Sequence, residues 1–249
     1  MKNATPRKMR LDTLLVERGI AATRQRAKAL ILSGSVVVDD HRVEKAGALV
    51  SPDADIRVRG EDNPYVSRGG LKLKGALDRF GIDVRGKVAL DVGASTGGFT
   101  DCLLQEGARR VYAVDVGYGQ LAWKLRQDER VVLFERTNIR HFDGRGIEEA
   151  IEIAVVDVSF ISLTLVLPVV LKLTERGGSI LALIKPQFEA GRGEVGKKGV
   201  VRDPAVHERV VREIVDLSDR LGVAVAGTCE SPITGPEGNR EFFLHGVKR

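Results

Sequence analysis

The sequence predicts an α/β protein, in which a doubly wound sheet, parallel with one antiparallel strand, follows a small α+β module. Three observations carry that expectation. From residue 70 onward, short apolar runs alternate with helical stretches, the pattern of a parallel sheet covered by helices on both faces. Two of those runs end at or near an aspartate, and the first opens into a glycine cluster before a helix start. Ahead of residue 60 a helix pair precedes a few very short strands, and the polar break Gly60-Glu61-Asp62-Asn63-Pro64 separates the two patterns.

In the front module, Leu11, Leu14 and Leu15 mark one face of a helix that stops at Gly19, and Thr23 caps a second helix over Arg24 to Leu32. Val36-Val37-Val38, Val43 and Ile56-Arg57-Val58 read as short strands around the turn Asp39-Asp40-His41. The larger part reads as helix 70–80, strand 88–92, helix 98–106, strand 110–115, helix 121–127 and strand 131–134. It continues with strand 153–156, helix 163–175, strand 179–184, helix 204–221 and strands 223–228 and 241–244. The last two strands have no helix between them, so one of them is expected to run antiparallel. The domains expected are residues 1–60, a linker over 61–67, and residues 68–249.

Composition narrows the function. Only Cys102 and Cys229 are present, which suggests a reduced, cytoplasmic protein without a disulfide framework. The basic Met1 to Arg10 has no apolar run behind it, unlike a signal peptide. The most membrane-like stretch, Ile153 to Leu173, is broken by Asp157, Pro168 and Lys172, short of the roughly 20 apolar residues a spanning helix needs. His41, His141, His207 and His245 are scattered without metal-ligand spacing, so no metal is expected. Residues 1–68 hold 13 Lys and Arg against 9 Asp and Glu. Arg7, Arg10, Arg18, Arg24, Arg26 and Lys28, with Arg68 at the start of the larger domain, are candidate contacts to RNA phosphates.

The glycine cluster points to a nucleotide-like cofactor. Val88 to Val92 is an apolar strand containing Asp91, and Gly93-Ala94-Ser95-Thr96-Gly97-Gly98-Phe99 leads into a helix whose first NH groups are unpaired. A dinucleotide fingerprint needs G-x-G-x-x-G, which is not the spacing here. Asp91 would repel a pyrophosphate but suits the cationic amine of S-adenosylmethionine, and Asp115, ending the second strand, is placed for the two ribose hydroxyls of adenosine. Asp157 and Lys185 also end apolar strands, while Lys72 follows Ser67-Arg68-Gly69-Gly70 and Glu241 begins the final strand. Charged residues at strand ends of such sheets converge on one crevice.

Several words of the sequence carry a resemblance. Arg10-Leu11-Asp12-x-Leu14-Leu15, Arg24-x-x-Ala27-x-x-Leu30-Ile31 and Gly34-x-Val36-x-Val38 resemble the ribosomal protein S4-like RNA-binding domain. Val66-Ser67-Arg68-Gly69-Gly70-x-Lys72, Asp115-Val116-Gly117-Tyr118-Gly119, Glu135-Arg136-Thr137-Asn138, Asp157-x-Ser159-Phe160-Ile161-Ser162, Lys185-Pro186-Gln187-Phe188-Glu189 and Gly238-Asn239-x-Glu241 resemble the TlyA family, FtsJ-like enzymes historically also labelled hemolysins. The resemblance implies a Rossmann-like S-adenosylmethionine-dependent methyltransferase sheet and a catalytic tetrad of Lys72, Asp157, Lys185 and Glu241. It also implies a cofactor site that includes Asn138 near adenine, and a cytidine 2'-hydroxyl of 23S or 16S ribosomal RNA as target, with ribosomal subunits as partners.

The tetrad suits that chemistry. The methyl group arrives activated on a sulfonium, so the enzyme must place an oxygen in line and assist its deprotonation. An ordinary lysine, with a pKa near about 10.4, is protonated at neutral pH. Lysine neighbours lower that value and carboxylates raise it, so Lys185 is either the base or a fixed cation beside the forming alkoxide, with Asp157 orienting it. Base methylation fits less well, because the Pro-Pro-aromatic word expected after the fourth strand is absent at Asp157-Val158-Ser159-Phe160 and neither cysteine follows a proline. Two further readings are a non-catalytic RNA-binding ribosome-assembly factor and a membrane-active hemolysin. Residues 186–203, rich in glycine, lysine and arginine, are expected to form a mobile lid.

Overall fold

A computed structural model describes residues 8–58 and 63–249. The chain divides into two compact units, Met1–Asp62 and Asn63–Arg249.

In the first unit β1 (Met9–Arg10) leads into α1 (Leu11–Glu17), followed by α2 (Arg24–Leu32), β2 (Val36–Val38), β3 (His41–Arg42), β4 (Leu49–Val50) and β5 (Ile56–Val58). Thr23 caps α2 as its sequence position suggests, its hydroxyl accepting from Arg26 N at 3.2 Å. β2 is the centre of an antiparallel sheet flanked by β3 and β5, and its Val36 and Val38 pack with Leu11, Leu15, Ala27 and Ile31. The β1–β4 pairing escapes sequence reading, because two-residue strands show no period-2 alternation.

The second unit runs α3 (Gly69–Phe80), β6 (Val88–Val92), α4 (Gly98–Gln105), β7 (Arg110–Val114), α5 (Trp123–Arg126), β8 (Val131–Phe134) and β9 (Ile151–Val156). Then come α6 (Leu163–Leu173), β10 (Thr174–Ile184), α7 (Pro186–Glu189), α8 (Pro204–Arg220), β11 (Val223–Glu230) and β12 (Phe242–Lys248). Its seven strands lie in the order β11-β12-β10-β9-β6-β7-β8. All are parallel except β12, which runs antiparallel between β10 and β11. This is the doubly wound α/β class the alternating pattern predicts.

Alternation along the strands divides the core in two. Leu90, Val92, Ala154 and Val156 pack under α6 and α8 against Val166, Val170, Val210 and Ile214. Ala89, Ile153 and Val155 face the other way, against Leu73, Leu77, Phe99 and Leu103 of α3 and α4. The chain leaves β6 for β7 and β8 on one side and returns to β9 on the other, so the carboxyl ends of β6 and β9 flank a topological switch point, where such sheets open a crevice. Several boundaries differ from the sequence reading; β12 begins at Phe242, so Glu241 stands just ahead of the final strand instead of beginning it, and the strand runs on to Lys248. α5 is a single turn because only Leu125 of its four residues is buried, and β10 starts at Thr174, with a register irregularity before Ser179 that accommodates Gly177-Gly178.

Candidate active site

The turn after β6 is shaped by backbone approach. Gly93 has φ +89°, and a Cβ there would lie 2.4 Å from the carbonyl oxygen of Asp157, so only glycine lets the ends of β6 and β9 come this close. A Cβ on Gly98 would meet Ser67 Oγ at 2.2 Å and Gly70 N at 2.9 Å. The first turns of α3 and α4 therefore touch backbone to backbone, which brings Lys72 of α3 to the crevice.

A cleft of about 750 Å³ opens over this turn, lined among others by Gly93, Ser95, Asp115, Asn138, Asp157 and Phe160. Asp115 is held by Ser95 N (2.8 Å to Oδ2) and Gly117 N (2.6 Å to Oδ1), and each carboxylate oxygen keeps a further lone pair for a ligand hydroxyl. Asn138 Oδ1 accepts from Arg140 N at 3.1 Å and caps a short helical turn at the same rim. The glycine cradle and the carboxylate at the end of β7 fit an adenosine-type cofactor.

Asp91 lies elsewhere than its sequence position suggests. It is fully buried beneath the turn and lines neither this cleft nor the neighbouring cavity. Thr100 Oγ1 donates to its Oδ2 at 2.6 Å, while Oδ1 has no hydrogen-bond partner. Burial pushes its pKa up to about 7, opposed by the Thr100 hydrogen bond and assisted by the charge of Asp157. Its side chain reaches Thr100 of α4 beneath the turn instead of the rim.

A second cavity of about 270 Å³ adjoins the cleft and shares Gly93, Ser95 and Asp157 with it. Ala94, Thr96, Gly98 and Phe99 line this smaller space, together with Arg68, Lys72 and Lys185, whereas Gly97 packs beneath Leu121 and Leu125. Lys185 Nζ lies 2.5 Å from Asp157 Oδ1 as an ion pair and donates to Ser159 Oγ at 2.9 Å. Lys72 Nζ donates to Glu241 Oε2 at 2.6 Å, and both side chains are buried. A Cβ on Gly235 would meet Glu241 Oε1 at 2.1 Å, so a glycine makes room for this carboxylate. The four tetrad residues thus form two acid–lysine pairs, with both lysines lining the small cavity.

Comparison with known proteins agrees with this geometry. The FtsJ-like methyltransferase family matches residues 65–248 and the S4 domain family matches residues 9–56. The chain is 53% identical to YqxC of Bacillus subtilis, whose name proposes an rRNA methyltransferase, over 97% of this chain and 86% of that protein. It is 46% identical to the 16S/23S rRNA (cytidine-2'-O)-methyltransferase TlyA of Mycobacterium tuberculosis, over 96% of this chain and 89% of the relative. This chain belongs to the TlyA family of FtsJ-like methyltransferases. A solved structure from Streptococcus thermophilus, named as a candidate hemolysin, superposes with a TM-score of 0.77 at 45% identity, covering 98% of this chain and 90% of that one. Among the described residues, no helix is long and apolar enough to cross a membrane, and no group of His, Cys, Asp or Glu is arranged to hold a metal ion.

Within the S4 domain, Arg10, Arg18 and Arg24, read from the sequence as candidate RNA contacts, hold the unit together. Arg10 donates to both oxygens of the buried Asp12 at 3.0 Å, and Arg24 adds a third bond at 3.1 Å. These arginines, Arg10 foremost, hold the Asp12 carboxyl well below the usual carboxylate range despite its burial. Arg18 donates to the carbonyls of Ala54 and Pro52. About half or more of the Arg10 and Arg24 side chains stays exposed, and Lys28 and Arg68 are exposed as well. Arg26 is half-buried on α2, and Arg7 lies outside the described residues.

Ser159, Glu189 and Asn239 stand inside the sequence words without a role of their own, and the structure gives each a polar partner. The loop after β10 is tied down near its end: Val200 and Val201 are buried, Glu194 pairs with Arg209 at 2.6 Å, and His207 Nε2 bonds Val201 O at 2.9 Å. The buried Asn239 accepts from Val201 N and donates to Gly199 O and Pro236 O, tying the loop to the segment that ends at Glu241. These ties hold the end of the loop expected to be a lid, while residue 191 and residues 193–199 before it are exposed or half-buried.

Proposed function

We propose that this chain transfers the methyl group of S-adenosylmethionine to the 2'-hydroxyl of a cytidine in ribosomal RNA, acting on ribosomal subunits in the cytoplasm. Residues 1–60 form the RNA-docking domain, 61–67 the linker and 68–249 the methyltransferase domain in this reading. The observation that carries it is the junction of the two cavities at Gly93, Ser95 and Asp157, with Lys185 lining the smaller one. The larger cleft suits the cofactor and the smaller one the acceptor ribose. The activities in the names of the relatives support the same chemistry.

When bound, S-adenosylmethionine supplies a methyl group on a positively charged sulfur. Asp115 and the turn after β6 hold the adenosine side of the cleft, and Asn138 stands at its rim. Lys185 Nζ donates to Ser159 Oγ and pairs electrostatically with Asp157, and its remaining N–H groups are free to meet the acceptor oxygen. Lys185 thereby places that oxygen and offers charge where negative charge develops as the proton leaves. Lys72, fixed by Glu241, adds a second cation to the small cavity. With the methyl donor bound, the hydroxyl proton would pass by way of Lys185 to the carboxylate of Asp157, from which it would exchange with solvent. The test is Lys185→Ala: methyl transfer to ribosomal RNA should fall to background while calorimetric affinity for S-adenosylhomocysteine stays within threefold. Near-normal turnover by that variant would remove Lys185 from the reaction.

A further inference from the structure

Glu189 is a largely buried acid that the chemistry above does not use. It ends α7, one turn after Lys185, and its carboxylate oxygens accept from Ser162 Oγ at 2.6 Å and from Leu163 N at 2.8 Å. Ser162 is the N-cap of α6 and Leu163 its first residue, so Glu189 grips the far end of the loop that begins at Asp157. The near end is held by Asp157 N, which donates to Val92 O at 2.9 Å. Between the ends, Lys185 meets Asp157 and Ser159, and the ring of Phe188 lies 5.0 Å from that of Phe160. Residues 185–189 and 157–163 are therefore joined at the start, the middle and the end.

The loop needs such holding. Phe160 has φ +63° and its side chain is almost wholly exposed. A bulky residue in the left-handed region persists only where its surroundings over-determine it. α7 provides a stiff frame, with Pro186 at its first position, Phe188 N bonded to Lys185 O at 2.9 Å and Ala190 N to Pro186 O at 2.8 Å. The Glu189 grip thus holds one end of a strained turn whose other residues, Asp157 and Ser159, meet Lys185.

We propose that Glu189 is a positioning residue for methyl transfer: by gripping the first turn of α6 it fixes the loop bearing Asp157 and Ser159, and through them the aim of Lys185. The proposal rests on Lys185 meeting the acceptor oxygen. A misplacement of about 1 Å at a reacting group costs on the order of 100-fold in rate, so a tenfold or greater loss is expected from partial release.

The test uses the full-length protein, ribosomal subunits from cells deleted for this chain as acceptor, and calorimetry with S-adenosylhomocysteine. Glu189→Ala should lower kcat at least tenfold, with KM for the subunits and affinity for S-adenosylhomocysteine within threefold of the parent. Glu189→Gln should recover to within threefold of the parent, since its carbonyl still accepts from Leu163 N and its amide donates to Ser162 Oγ. A kcat within twofold for Glu189→Ala, a Gln variant as poor as Ala, or cofactor affinity lost in step with kcat would each overturn the proposal. Should Glu189→Ala fail to fold, Ser162→Ala decides the matter: a kcat loss of threefold or more supports the grip, and an unchanged kcat overturns it. Lys185→Ala run alongside separates the two readings. If it is inert while Glu189→Ala is normal, only the positioning role falls; if it turns over normally, the reading of Lys185 falls.

Discussion

Removing one partner of the Lys72–Glu241 pair should destabilise the protein more than removing both. The two side chains meet at 2.6 Å, and their side-chain exposures are 9% and 0%. Truncating either one leaves a buried charge without its counterion, which typically costs about 3 to 5 kcal/mol. In a unit of this size each kcal/mol corresponds to roughly 2 to 4 °C in Tm, so Lys72→Met and Glu241→Leu should each lower Tm by roughly 6 to 20 °C. The double variant replaces the pair with apolar groups of similar volume and should return to within about 2 kcal/mol of the parent, because replacing a buried pair as a whole is often nearly neutral. Urea unfolding followed by circular dichroism measures this directly, since the single tryptophan, Trp123, is exposed and a poor reporter of the core. All three variants should lose methyl transfer, which separates the pair's chemical role from its structural one. Single variants that each cost under about 1 kcal/mol would show that the pair is solvated and refute the reasoning.

Asp115→Ala should weaken S-adenosylhomocysteine binding tenfold or more, since charged hydrogen bonds to a ligand are worth about 1.5 to 3 kcal/mol; unchanged calorimetric affinity would take Asp115 out of the site. Asp91, whose pKa is raised to about 7, takes up a proton on folding over the range in which the unfolded chain has already lost it. Its contribution to stability is therefore full below about pH 4 and declines up to about pH 7, so the stability of Asp91→Asn relative to the parent should rise across that interval and level off above it. A pH-independent difference in urea midpoints would contradict the burial of Asp91. Deleting residues 1–62 should leave a cofactor-binding unit whose RNA affinity depends less on salt, the slope of log affinity against log salt falling by about 0.7 to 0.9 for each lost phosphate contact. An unchanged slope would place the docking surface elsewhere.

Much of the larger unit is legible because both faces of a parallel strand are buried. The apolar runs at 153–156 and 179–184 stop abruptly where the ligand rim begins, and Asp157 and Lys185 stand out there as the first charges. Asp91 shows the limit of that logic. A strand-end position does not say which way the side chain faces, and this one points under the turn to Thr100. The same limit applies to the arginines of the first unit: Arg10 and Arg24 read as solvent-facing charges, yet both close on Asp12, a carboxylate buried in the core of that unit. Ser159, Glu189 and Asn239 were illegible because their partners lie 26 to 40 residues away in sequence, and a tie of that length leaves no periodic trace.

The proposed reaction puts the methyl group on a ribose oxygen. Ribosomal RNA methylated by the purified protein should yield 2'-O-methylcytidine on nucleoside digestion with mass spectrometry, with one alkali-resistant linkage per modified site. An RNA with a 2'-deoxy nucleotide at that site should bind yet accept no methyl, since the 2'-hydroxyl is the group that separates the two. A methylated base in the digest, or label on the deoxy substrate, would contradict the claim and move the acceptor atom from the sugar to the base.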